Sequence, residues 1–113
     1  MAQTTTQILL PQTPYSQATP NVYGTKKEAA GYYIANKNLQ TLTWNLTNVT
    51  GTVLIQATLA TNPQESDWFA VYSLPCNGLT QTSFYNLTGN FVWIRAAVIN
   101  FTQGAVQYIK VSY

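Results

Sequence analysis

Residues 90–99 read NFVWIRAAVI. Val92, Ile94, Ala96 and Val98 occupy every second position, so on a pleated strand they share one face. A helix would scatter the same four side chains around its circumference. The intervening positions hold Phe91, Trp93, Arg95 and Ala97. This strand is therefore apolar on both sides and needs cover on both.

Two other stretches alternate in the same way. In 39–46 (LQTLTWNL), Leu42, Trp44 and Leu46 oppose Thr41, Thr43 and Asn45. In 52–60 (TVLIQATLA), Val53, Ile55, Ala57 and Leu59 oppose Thr52, Gln56 and Thr58, with Leu54 out of pattern. Less regular strands are expected at 67–74, 79–87 and 104–113, and a short one at 31–35 (GYYIA). Turn-forming residues separate them at 48–51, 61–66, 75–78, 87–90 and 100–104. Short strands at such spacing predict an all-β fold, an antiparallel β-sandwich of jelly-roll or Ig-like type, over residues 31–113. Only 25–30 (TKKEAA) could form a helical turn, and it is too short to stand alone.

Residues 1–30 differ in character. Pro11, Pro14 and Pro20 interrupt a Thr- and Gln-rich segment with almost no periodicity. Proline fixes its own φ and disfavours helix in the residue before it, so the segment reads as an extended N-terminal arm. Its apolar anchors are Ile8, Leu9, Leu10 and Tyr15. Ile8–Leu10 could add a strand to an exposed sheet edge. These four residues, with Phe91, Trp93 and Arg95, form the expected interface set. The cover for the Phe91–Trp93–Arg95 face is expected from the arm or from another chain.

Composition bounds the function. Only 7% of the 113 residues are charged and the net charge is +2, against about 25% charged in an ordinary soluble domain. Little repulsion keeps copies apart, which suits a protein that lives in an assembly. The basic residues Lys26, Lys27, Lys37, Arg95 and Lys110 are scattered, whereas a nucleic-acid footprint clusters them. No nucleic-acid partner is expected. Neither a signal peptide nor an apolar run of membrane-spanning length is legible, so a membrane is not expected as a partner.

Catalytic groups are scarce. The sequence holds no histidine, and its acids are Glu28, Glu65 and Asp67. Glu65 and Asp67 lie two positions apart in one loop, whereas paired-carboxylate chemistry places its acids on separate elements across the substrate. The two could contact a calcium ion, but a solvated turn is the simpler reading. Cys76 is the single cysteine and has no cationic neighbour in sequence to activate it. No enzyme activity, cofactor or metal is expected. Asn-x-Thr triplets at Asn45, Asn48, Asn86 and Asn100 read as turn chemistry.

The runs GTVLIQATLATNPQESDWFAVYSL (51–74) and NLTGNFVWIRAAVINFTQGAVQYIKVSY (86–113) carry a resemblance. Gly51-Thr52-Val53, Asp67-Trp68, Ile94-Arg95-Ala96 and the final strand after Gly104 resemble a β-sandwich module of virion proteins of tailed bacteriophages, most like those infecting marine cyanobacteria. The resemblance covers roughly residues 38–113 and rests on structural motifs. It implies a non-enzymatic structural protein located in the virion, most concretely a capsid decoration or cement protein. Neck or tail-fibre components and carbohydrate-binding adhesin modules are the alternatives. The partners implied are capsid, neck or tail subunits and further copies of the chain in a homo-oligomer, with a glycan under the adhesin alternative.

Overall fold

The alternating stretches become parts of strands far longer than the sequence punctuation suggests. The computed structural model describes residues 6–17, 20–31 and 39–113. Among them seven strands form: β1 (Thr6–Leu10), β2 (Thr13–Pro14), β3 (Val22–Tyr23), β4 (Lys27–Glu28), β5 (Leu39–Thr58), β6 (Phe69–Thr88) and β7 (Trp93–Ser112). A single 3-10 turn, Glu65–Asp67, lies in the loop between β5 and β6. Hydrogen bonding joins all seven strands into one antiparallel sheet. The fold is all-β. In place of two separately bonded sheets there is one sheet, and it bends.

The bend follows from dimensions. A straight strand of 20 residues would run roughly 66 Å at ~3.3 Å per residue. The protein measures 39 × 33 × 18 Å, so β5, β6 and β7 must each turn back. The aromatic contacts show by how much. Tyr72 and Tyr85 lie on the same strand, yet their rings stack with centroids 4.3 Å apart. Tyr72 also stacks on Trp44 at 5.5 Å, although Tyr72 pairs with Ile55 in the opposite half of β5. The two halves of the sheet therefore face each other, and the core lies between them.

The corner runs across all three long strands. Asn48, Gly51, Gly78, Asn100 and Gly104 have positive φ, and the ladder registers shift beside them, at 46–51 in β5 against its neighbours. Extra residues of this kind bend a strand and sharpen its twist without ending the ladder. This is why the expected turns at 48–51, 75–78 and 100–104 are corners inside strands. Side chains brace the corner: the Asn48 amide donates to Thr80 Oγ1 at 2.9 Å and the Gly78 amide to Thr50 Oγ1 at 2.9 Å. Gly104 is the tightest point. It has φ +87, and a Cβ there would press into the Asn48 carbonyl.

The interior alternates as the patterns require. Leu42, Leu46, Val53, Ile55, Ile94, Ala96, Val98, Ile109 and Val111 are fully buried in one cluster. Full burial of a Leu- or Ile-sized side chain stabilises by about 1.5–3 kcal/mol each. Gln40 is the polar exception. Its Oε1 accepts from the Ala30 amide at 3.0 Å and its Nε2 donates to the Gly89 carbonyl at 3.0 Å, so its burial is compensated.

The four short strands β1, β2, β3 and β4 pair antiparallel with the outer edge of β7, from Thr6 opposite Ser112 to Glu28 opposite Trp93. β1 and β2 lie on one side of the β7 corner and β3 and β4 on the other. Gln7 Nε2 and the Tyr113 hydroxyl both donate to the Glu28 carbonyl, at 3.1 and 2.8 Å. Gly24 is needed where the chain after β3 meets β1, because a side chain there would strike the Leu9 carbonyl. The stretch 25–30, considered for a helical turn, contains β4 instead, its backbone captured by the edge of β7. Of the strand expected at 31–35, all but Gly31 lies outside the described residues.

Replacing Gly104 with alanine adds both the clash and the left-handed strain, each of about 1–3 kcal/mol. The expected outcome in urea unfolding is a clear loss of stability. Gly78→Ala, whose nearest neighbour would be the movable Asn48 side chain at 3.3 Å, should cost only the ~1–2 kcal/mol of the backbone conformation.

Candidate functional site

The outer surface of β7 explains where its second apolar face goes. Arg95 pairs with Gln56 across the ladder, Ala97 with Leu54 and with Tyr23, and Trp93 with Thr58. These positions point away from the core, yet Ala97 is fully buried and Arg95 nearly so. The loop between β5 and β6 and the edge residue Tyr23 lie over them.

Arg95 organises this face. Its Nε donates to Gln56 Oε1 at 2.7 Å, and its two terminal nitrogens donate to Glu65 Oε2 and Oε1 at 3.0 and 3.1 Å. The guanidinium carbon lies 4.4 Å from the centroid of Trp68 and 5.2 Å from that of Tyr23. A bidentate carboxylate and two ring faces suit the planar guanidinium, which is weakly hydrated and tolerates such surroundings. The pair is asymmetric: the Arg95 side chain is 10% exposed and that of Glu65 79%. Glu65 keeps its hydration while the guanidinium is held by neighbours. The hydrogen bonds from Arg95, and then its charge, pull the Glu65 carboxyl below the usual range.

Trp93 pins the other end of the same loop. Its indole Nε1 donates to the Thr61 carbonyl at 2.9 Å, and the Lys26 ammonium lies 5.1 Å from its ring centroid. Phe91 meets Phe69 edge-on at 5.9 Å. Asp67 Oδ2 accepts from the Gln64 amide at 2.8 Å within the loop. Glu65 and Asp67 therefore serve different partners. Among the described residues no three side chains of the His, Cys, Asp and Glu type gather as metal ligands. Cys76 is buried, and desolvation pushes its thiol up, away from the thiolate.

The seven interface candidates separate into distinct groups. Trp93 and Arg95 belong to the loop-covered outer face, whereas Phe91 packs against the core and Phe69. Leu9 and Leu10 are buried in the core of the same chain. Ile8, by contrast, is 49% exposed, and Tyr15 packs edge-on against Phe101 at 5.8 Å. The structure adds residues outside the expected interface set: Tyr23, Gln56 and Trp68 around Arg95, and Phe84 on β6. Phe84 carried a legible signal, since it stands among Thr80, Thr82, Asn86 and Thr88 on the polar row of its strand and is 63% exposed. No protein-family model matches the chain, and no curated protein matches it.

A carboxyl with a depressed folded-state pKa stabilises the protein above its unfolded pKa. That contribution disappears as pH falls through the folded value. Glu65→Gln should therefore melt below wild type near neutral pH. The difference should shrink to nothing as the pH drops below the usual carboxylate range, with Trp68 fluorescence reporting loosening of the loop.

Proposed function

We propose that the protein is a non-enzymatic structural component of a virion, most concretely a capsid decoration or cement protein that works by being covered by its neighbours. The observation that carries the reading is the surface. Ile8, Tyr23, Leu39, Leu59, Phe69 and Phe84 are each more than 40% exposed, in a chain with five basic and three acidic residues. Large apolar side chains on so weakly charged a surface fit a protein whose working state is an assembly. The resemblance to virion modules of tailed phages supports the same class, and a neck or tail-fibre position uses the same surface. In this role Ile8 and Tyr15 offer contacts along the segment at the β7 edge. The Tyr23–Trp68–Arg95 face offers a second, in the residue types enriched at interfaces.

One observation favours a glycan-binding reading instead. Tyr23 is 52% exposed beside a buried guanidinium, and an aromatic face next to polar groups can stack on a sugar ring. The two readings separate in one reconstitution. Particles lacking the protein are mixed with purified protein and sedimented. The structural role predicts saturable binding at a fixed copy number per particle. No binding to particles, combined with saccharide binding that Tyr23→Ala removes, would establish the glycan module and overturn the structural reading.

A further inference from the structure

The sheet treats its two edges differently. The outer edge of β7 is covered at both ends and at the corner by β1, β2, β3 and β4 of the same chain. At the other edge stands β6, which pairs with β5 and, among the described residues, with no other strand. It is 20 residues long. An edge of that length is a template for another strand, and proteins that remain monomeric usually guard such edges with charge. Here no charged residue lies anywhere between Asp67 and Arg95. Phe69, Phe84 and Tyr85 are exposed along the strand. Pro75 and the positive-φ Gly78 interrupt its regularity only at the corner.

We propose that β6 is a pairing edge for a second copy of this chain, joined antiparallel about a two-fold axis through the bend at 76–79. This inference is independent of the virion reading.

Shape and sequence both select that occupant. A straight strand from another protein could follow only one half of β6, because the edge folds back so far that Tyr72 meets Tyr85. A second bent β6 can follow all of it. The bend lies near the middle of the 69–88 strand. Rotation by 180° about its bisector exchanges the two halves and reverses the hydrogen-bonding direction. Each copy then lays its 80–88 half against the 69–75 half of the other. That is the self-complementary geometry of an isologous interface. Two identical strands without charges meet no like-charge repulsion, which cross-strand pairs otherwise penalise. The Trp44–Tyr72–Tyr85 stack, which reaches the surface at this edge, would continue into the same stack of the second copy.

Sedimentation velocity tests the proposal. Wild-type protein should sediment as a dimer at micromolar concentration. Phe84→Lys and Thr82→Lys place charge on exposed β6 positions and should each yield monomer with an unchanged β-type circular dichroism spectrum. Ile8→Lys, at the opposite edge, should remain dimeric. A variant that adds no charge locates the axis: Asn77→Cys in a Cys76→Ser background should form a disulfide-linked dimer, and nothing larger, on mild oxidation. A wild-type monomer at high concentration would overturn the proposal. So would lysine variants that stay folded and dimeric, or a dimer in which the Asn77→Cys chains fail to cross-link.

Discussion

The structure depends on a line of backbone that turns while its hydrogen bonds continue. Asn48 and Gly51 on β5, Gly78 on β6, and Asn100 and Gly104 on β7 all adopt positive φ. Because neighbouring strands bend at matching positions, the sheet folds as a unit and its inner rows meet. The core, the stacked tyrosines and the placing of β1 to β4 along β7 all follow from that corner. At its tightest point one carbonyl of Asn48 lies where a side chain on Gly104 would have to be. Stability is thus concentrated in residues with little or no side chain, as well as in the leucines and isoleucines they bring together.

Folding one sheet over itself settles which surfaces need further cover. The inner rows cover each other. The outer row around Arg95 is closed by the β5–β6 loop, held by Trp93 at Thr61 and by Arg95 at Glu65. The guanidinium is the centre of this second, smaller cluster: it fills space between Trp68 and Tyr23 while directing three hydrogen bonds. Such a group contributes mainly by fixing one arrangement of the loop. Its exposed partner Glu65 remains solvated, and an exposed ion pair adds little by itself.

Much of the fold was legible because period-two alternation is a local signal. Val92 to Val98, Leu42 to Leu46 and Val53 to Ala57 show which residues face inward. Continuity of the strands was not legible. Asn and Gly with positive φ mark the end of a strand in a tight turn and the bend of a strand at a bulge, and the two differ only in whether distant partners keep pairing. The pairing of β1 to β4 along β7 was not legible, since Thr6 meets Ser112 across nearly the whole chain. Arg95 stood out by its apolar neighbours. Its carboxylate partner did not, because Glu65 lies in a loop thirty positions away and no local pattern joins them.

The most direct test of the bent sheet is a nuclear Overhauser measurement between the aromatic protons of Tyr72 and Tyr85. Their rings lie 4.3 Å apart by centroid, so strong ring-to-ring cross-peaks are expected within one molecule. A mixed sample of labelled and unlabelled chains excludes transfer between copies. Absence of those cross-peaks, while the β5–β6 backbone pairing is intact on both sides of the corner, would contradict the account.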